Sequence, residues 1–312
     1  MCLLGRRWAR FVVFLLLALL VRAQESGVCS ESVIVSVRDH RGQQVADLLP
    51  SSFRATLGSS VLNIRSASFR TSSPRIVLLL DRSGSMNQSF ASTLAKNFVA
   101  LNAGKAHIAV VLFSDHVIDT INFDTPRAEI LQKLSKLQEL GGLTAFYNSL
   151  IYGASLFGTP EPGDAVYAIT DGGDNESNSG KYGVERELQS KGVRLFAFDL
   201  SHRNFSTEEE EAGHNNLRRL TEMTGGATIS MASLPAGKEG ERLNADLRGL
   251  YEAMERFYIL QVEAPTLEKE SRWKLEALDA DGGKRKDVEV AYPGNLGPCS
   301  APNAGQSKKA PS

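Results

Sequence analysis

From Arg75 onward the chain alternates between two hydrophobic periods. Continuous apolar runs of strand length precede Asp81 ("IVLLL"), follow His107 ("IAVVLF") and lead to Thr170 ("AVYAI") and Asp199 ("LFAF"). Between them apolar residues recur at helical spacing. One stretch covers about 89–101, and a second follows Thr125-Pro126 with Ile130, Leu134 and Leu137 on one stripe. A third carries Phe146, Leu150, Ala154 and Phe157, a short one lies near 184–189, and a fifth runs through Leu217, Leu220 and Met223. Thr125 reads as a cap with proline at the first helical position. Strands that are apolar on both faces, alternating with amphipathic helices, imply a parallel sheet covered on both sides. The expected fold class is therefore α/β, a doubly wound, mostly parallel sheet flanked by helices. Leu243, Leu247, Leu250, Met254 and Phe257 add a last helix over about 242–256 whose apolar stripe is core.

On either side of this region the period shortens to that of strands. "SVIVSVRD", "SSFRATLG" and "SVLNIRSASF" come before it, with a turn at "HRGQ" and a linker at "RTSSP"; "FYILQVEA", "RWKLEALDA" and "KDVEVAYP" come after. Neither group is large enough to hold a core alone. They are expected to pair, forming a small split β-sandwich-like unit into which the α/β domain is inserted. The expected organisation is a signal peptide at 1–23, an N-terminal β segment at 24–73, the α/β domain at 74–256, pairing C-terminal strands at 257–292, and a tail at 293–312. That tail is rich in Gly, Pro, Ser, Ala and Lys and is expected to be disordered.

The first residues set the compartment. Arg6, Arg7 and Arg10 precede the apolar run 11–21, and Val21-Arg22-Ala23 offers small residues where a signal peptidase reads. The run is shorter than the roughly 20 residues of a spanning helix, so cleavage after Ala23 and export are expected, with an uncleaved anchor as the alternative. The mature chain is then secreted, periplasmic or held at the cell surface, with no membrane insertion. A formal net charge of -1 and the lack of a basic run argue against nucleic acid as a partner. Cys2 leaves with the signal, so Cys29 and Cys299 remain. In an oxidising compartment they are expected to form a disulfide closing the split unit; two separate thiols are the alternative.

The candidate chemistry begins at "VLLLDRSGSM", where a buried strand ends on Asp81, Ser83 and Ser85. Ligands of doubly wound sheets sit beyond the carboxyl ends of the strands. Asp171 ends another strand there, and Thr144 arrives from "GGLTA" ahead of a helix. Gly84 is expected to ease the turn, and Asp81 to lie just outside the buried part of its strand. Five oxygen residues with two negative charges suit a hard divalent cation, which takes about six oxygen ligands. They neutralise it without surplus, so a further carboxylate from outside remains welcome.

These five positions, in this order, resemble the metal-ion-dependent adhesion site of von Willebrand factor type A domains, a likeness covering roughly 74–256. The resemblance implies that Ser83, Ser85 and Thr144 are ligands and that Asp81 and Asp171 bind directly or through water. It also implies Mg2+ as the ion, with Mn2+ or Ca2+ as alternatives, and a partner protein's Asp or Glu completing the shell. The signal peptide, the segment "VRDHRGQQVADLLPSSFRAT" and the strand "FYILQVEA" further resemble secreted bacterial proteins described as von Willebrand factor A related. Leu57-Gly58-Ser59 stands where that group has an acid-glycine turn.

Other constellations are weaker. His40, His107, His116, His202 and His214 show no zinc spacing. Glu208 to Glu211 read as the solvated first turn of a helix capped by Ser206 or Thr207. Asp174, Asn175 and Glu176 are read either as the rim of the metal site or as an ordinary loop. The leading functional expectation is a binding module without catalytic residues; the alternatives are a metal-assisted hydrolase and an architectural domain of a surface assembly.

Overall fold

A computed structural model describes residues 28–102, 106–201, 207–231 and 238–299; the expected signal peptide and residues 300–312 lie outside them. The chain begins with three strands, β1 (Val28–Asp39), β2 (Phe53–Leu57) and β3 (Ser60–Thr71). The α/β region follows as β4 (Arg75–Asp81), α1 (Gln88–Leu101), β5 (His107–Phe113), β6 (Val117–Ile121), α2 (Arg127–Ser135), α3 (Phe146–Ser155) and β7 (Ala165–Thr170). It continues with α4 (Lys181–Ser190), β8 (Arg194–Asp199), α5 (Glu208–Met223), β9 (Thr228–Ser230) and α6 (Lys238–Glu255). The chain closes with β10 (Arg256–Pro265), β11 (Ser271–Arg272), β12 (Lys274–Ala277), β13 (Val288–Ala291) and β14 (Asn295–Leu296).

The α/β sheet has the order β6-β5-β4-β7-β8-β9, parallel except for the antiparallel edge strand β6. Its double burial follows from strand alternation. Ile76, Leu78 and Leu80 pack with Phe90, Leu94 and Phe98 of α1, Ile130 and Leu134 of α2, and Leu243, Leu247 and Leu250 of α6. Val77 and Leu79 face the other way, onto Phe146 and Leu150 of α3, Val184 and Leu188 of α4, and Leu217 and Leu220 of α5. The expected doubly wound fold is what the chain forms. Helix α2 departs in detail: it starts at Arg127, with Pro126 in the cap position at φ -56° and ψ 135°, and no side chain caps it. At α5 Thr207 is the cap, its hydroxyl accepting from the Glu210 N–H at 3.1 Å.

Strands from both ends of the chain interleave in a second sheet, β12-β2-β3-β10-β1-β13, in which every pairing is antiparallel. The presumed linker at 70–74 is shorter than expected, because Arg70 and Thr71 pair with Phe257 and Arg256. One side of this sheet encloses Val33, Val35, Val37, Tyr258, Leu260, Val262 and Trp273. Arg54 and Lys274 both reach the Glu276 carboxylate at 2.8 Å, and they hold it at about 2, well below the usual carboxylate range, Lys274 contributing most.

The expected tail begins later than residue 293. β14 pairs with β11, the Trp273 indole donates to the Pro293 carbonyl at 2.7 Å, and Leu267 and Cys299 exchange backbone hydrogen bonds. These pairings satisfy backbone groups that a free tail would leave to water. Cys29 and Cys299 form a disulfide, with Cα atoms 6.0 Å apart. Arg194, 1% exposed, joins the two units: it donates to the carbonyls of Ala253 (2.7 Å) and Met254 (2.9 Å) at the end of α6, and lies against the Phe196 and Phe257 rings. Burial lowers its pKa to about 9.

Candidate metal-binding site

The chain runs from β4 outward to β5 and β6, then returns to β7 on the other side of β4, so the winding reverses between β4 and β7. The carboxyl ends of strands that part at such a reversal leave a crevice. Asp81 stands on one side of it as the last residue of β4, and Asp171 on the other, just past β7. Ser85, Thr144 and Asp171 line one cavity of about 290 Å³ there, together with Gly173, Asn175, Leu200, Ser201, Thr207, Glu209 and Glu210. Asp81 and Ser83 lie beneath, both 0% exposed.

The structure corrects the expectation that Asp81 lies outside the buried strand. It pairs in register with Phe113, its Oδ1 accepts the Ser83 N–H at 2.9 Å, and its Oδ2 accepts the Thr170 hydroxyl at 2.7 Å. Gly84 is also not needed for the turn as expected: its φ is not positive, and an added Cβ would meet Gly142 at 3.6 Å, an ordinary contact. What Gly84 does is donate its N–H to the Gly142 carbonyl at 3.1 Å, tying the Asp81 loop to the Thr144 loop. The hydroxyls of Ser83 and Ser85 lie 3.3 Å apart.

Thr144 is fixed by the loop after β7. Its N–H donates to Asn175 Oδ1 at 2.8 Å, and its carbonyl accepts the N–H groups of Asn175 and Glu176. Asp174 Oδ1 accepts the Tyr147 N–H at the start of α3 and the Ser177 hydroxyl. Residues 174–176 thus hold the segment that carries Thr144 and the start of α3. Thr170, which braces Asp81, and Gln88, which accepts the Leu140 N–H at 2.9 Å and donates back to its carbonyl, were not singled out from the sequence. Their partners lie more than fifty residues away, and no local pattern announces such contacts.

Gly172 sits at φ +81°, and a Cβ there would come within 2.6 Å of the Gly213 carbonyl oxygen. The loop that carries Asp171 therefore rests directly on α5, backbone against backbone.

The donor set fits a hard cation. Burial, and then the nearby Asp171 charge, push the Asp81 pKa up to about 7 against the hydrogen bonds from Ser83 and Thr170. Neither carboxylate has an ion-pair partner among the described residues, and the adjacent Arg82 is spent on the Ser92 hydroxyl and the Gln138 carbonyl. Each carboxylate retains lone pairs beyond the bonds it accepts. Among the described residues no group of three or more His, Cys, Asp or Glu gathers anywhere; the candidate donor set is two acids and three hydroxyls. Ser201, His214 and Asp199 adjoin the cavity, but Ser201 Oγ (3.4 Å) and Asp199 Oδ2 (2.5 Å) both face the same ring nitrogen, Nδ1. A serine nucleophile relayed to an acid needs the two ring nitrogens between them, and this arrangement does not provide it.

Among the described residues no helix is long and apolar enough to cross a membrane. The family model described as "VWA domain containing CoxE-like protein" matches residues 36–233, more than half of the chain. No curated protein matches. Among solved structures, the von Willebrand factor type A protein from Catenulispora acidiphila is similar at 15% identity and a TM-score of 0.45, over 87% of this chain and 72% of that one. The conserved hypothetical protein BatB from Bacteroides thetaiotaomicron is similar at 15% identity and a TM-score of 0.44, over 57% of this chain and 98% of that one. An aerotolerance-related membrane protein from Bacteroides fragilis is similar at 16% identity and a TM-score of 0.42, over 58% and 98%.

Proposed function

Because the chain belongs to the family of VWA-domain-containing CoxE-like proteins, whose domain is generally a protein-interaction module, we propose that it docks a partner protein's Asp or Glu side chain through a divalent cation. Asp81, Ser83, Ser85, Thr144 and Asp171 would hold the ion, with Mg2+ as the leading candidate and Mn2+ or Ca2+ as substitutes. A bound cation would supply the electrostatic bond to the incoming carboxylate. The chain's own part is to hold two charges and three neutral oxygens, so that these five ligands neutralise the ion without surplus. The observation carrying this reading is that three loops, pinned to one another through Gly84, Gly142, Thr144 and Asn175, bring Ser85, Thr144 and Asp171 to a single cavity, with Asp81 and Ser83 buried in the same loops and neither Asp81 nor Asp171 ion-paired among the described residues. A disulfide that ties the two ends of the described chain supports an exported, oxidising location.

Titration of metal-free protein with Mg2+ by calorimetry tests the ion site. One equivalent should bind, and Asp81→Asn and Thr144→Val should each abolish the heat while leaving the circular dichroism spectrum unchanged. Equal binding by parent and variants, or none at millimolar Mg2+ and Mn2+, would refute the reading.

A further inference from the structure

A second cavity, of about 290 Å³, lies where the two sheets meet. β1 and β10 line it on one side; the last turn of α4, the first residues of β8 and the segment before β7 line it on the other. Those segments stand at the amino ends of the parallel strands, so this cavity is at the far end of the sheet from Asp81 and Asp171. Its β-sheet wall is apolar. Ile34 and Ile259 pair in register across β1 and β10, and both are half-buried. They take no part in the core of their own sheet, which uses the alternate residues Val33, Val35, Leu260 and Val262. Val193 adds an apolar residue from the α/β side.

The polar groups of the lining are unequally committed. Three glutamates, Glu31, Glu161 and Glu270, stand against two cations. Both cations are engaged elsewhere: Lys191 pairs with Glu187 at 3.3 Å, and the terminal nitrogens of Arg194 donate to the Ala253 and Met254 carbonyls. Glu31 Oε1 accepts the Gly297 N–H at 3.0 Å, and Gln189 Nε2 donates to the Met223 carbonyl at 2.6 Å. The other oxygen of Glu31, Oε2, and Gln189 Oε1 are withdrawn from water without a hydrogen-bond partner, as is Arg194 Nε beside its two aromatic rings. Burial raises the Glu31 carboxyl above its ordinary range against the bond from Gly297. A buried acceptor without a donor carries a penalty that an incoming donor removes, and for a carboxylate a cationic donor is the stronger one. The terminal torsions of Glu and Gln are broad, so either group can turn an oxygen toward an occupant. Apolar walls with a few uncommitted polar groups are the usual make-up of a small-molecule site. Size limits what fits: an apolar cavity of about 150 Å³ takes up benzene, so one nearly twice as large has room for roughly ten to twelve heavy atoms.

We propose that this cavity binds a small primary amine carried on an apolar chain or ring. Glu31 and Gln189 receive the ammonium group, and Ile34, Ile259 and Val193 cover the apolar body. The site is separate from the metal crevice and does not rest on carboxylate docking.

The test uses the full chain in Mg2+ buffer free of other amines. 3-Phenylpropylamine, 3-phenylpropanol and 3-phenylpropionate serve as cationic, neutral and anionic probes of one shape, and methylamine as the cation without an apolar body. Calorimetry should find one equivalent of 3-phenylpropylamine bound, about tenfold tighter or more than each of the others, the worth of one hydrogen bond to a charged group. In 1H-15N spectra the amine should shift the amides of Ser32, Ile34, Gly192 and Ile259 and leave those of Gly84, Thr144 and Gly173 in place. Glu31→Gln keeps the shape and removes the charge; it should erase the amine's advantage while 3-phenylpropanol binding stays within about twofold of the parent. Urea unfolding of the variant is measured alongside, and should it fail to fold, the probe ranking and the shift map on the parent still decide. Equal affinity of the amine, the alcohol and the acid overturns the proposal. So do shifts confined to the metal loops, an unaltered amine preference in Glu31→Gln, or no binding of 3-phenylpropylamine at millimolar concentration, which would leave the cavity to water.

Discussion

Replacing Gly172 by alanine tests how the metal loop is supported. Two costs follow from the structure. At φ +81° an L side chain is strained, which costs about 1–2 kcal/mol in the left-handed region. The new methyl would also lie 2.6 Å from the Gly213 oxygen and 2.8 Å from its carbonyl carbon, both backbone atoms of α5, and 3.2 Å from Leu217 Cβ. Backbone cannot rotate away as a side-chain tip can, so α5 or the Asp171 loop must shift, at the roughly 1–3 kcal/mol typical of overpacking. The sum is about 2–5 kcal/mol, a large share of the 5–15 kcal/mol by which domains are usually stable. Gly213→Ala is the control: its Cβ would meet the Gly172 oxygen at 2.8 Å, but alanine in a helix recovers about 1 kcal/mol over glycine, so its net loss should be smaller. Urea unfolding followed by far-ultraviolet circular dichroism measures both, because the helices lie in the α/β region, whereas Trp273 fluorescence reports the other sheet. Mg2+ calorimetry on the same samples should show weaker binding for Gly172→Ala, since Asp171 adjoins the displaced backbone. An unfolding free energy within about 0.5 kcal/mol of the parent, the range of an ordinary surface substitution, would refute the claim that this contact bears on the loop.

Three further outcomes are expected. Arg194→Met should cost about 2–4 kcal/mol in urea unfolding, because two buried carbonyls at the end of α6 lose their donors; Arg194→Lys should recover little of it, since one ammonium does not reproduce the planar fork. Glu276 has a folded pKa depressed to about 2 from 4.5, so its contribution is present above pH 4.5 and is lost as pH falls toward 2. Glu276→Gln should therefore lower stability at pH 7 by about 0.5–1 kcal/mol, the worth of a partly exposed ion pair, and the difference from the parent should shrink through that window in thermal melts. Cys299→Ser should lower stability by about 3–5 kcal/mol, the chain-entropy figure for so long a loop, and peptide mapping without reductant should lose the linked Cys29 fragment.

The α/β architecture was legible because apolar runs of strand length alternate with stripes at helical spacing, a combination that points to a sheet covered on both faces. "IVLLL" and "AVYAI" give β4 and β7, and the stripes at Leu134, Leu150, Leu217 and Leu247 give helices with their core faces correctly placed. The pairing of first and last strands was legible for a different reason: neither group could bury a core alone. The site was readable as a set of oxygen residues at strand ends, but its mechanics were not. Asp81 looked like an exposed strand end because aspartate usually is one; its burial depends on Thr170, and the hold on Thr144 depends on Asn175. Gly84 drew attention through its neighbours, while the conformationally demanding glycine is Gly172, whose need arises only once α5 lies against it. The tail was misread at 293–299 because the Gly and Pro residues there belong to a backbone-paired edge fastened by Cys299 rather than to a free end.

The interleaved second sheet also has a mechanical consequence. The α/β unit enters and leaves that sheet through β3 and β10, which pair side by side, and a disulfide joins Cys29, the second described residue and part of β1, to Cys299, the last. The crevice is at the carboxyl edge of the parallel sheet, whereas Arg75 and Arg194, the first residues of β4 and β8, mark the opposite edge facing this root. A pull applied at the crevice and resisted at either end of the described chain would thus run lengthwise through the parallel strands and into β3, β10 and β1 together. Their hydrogen bonds would be loaded in shear, many at once, instead of being unzipped one by one. A tension directed from one end of the described chain to the other would fall on a covalent bond and would leave the α/β unit unstretched.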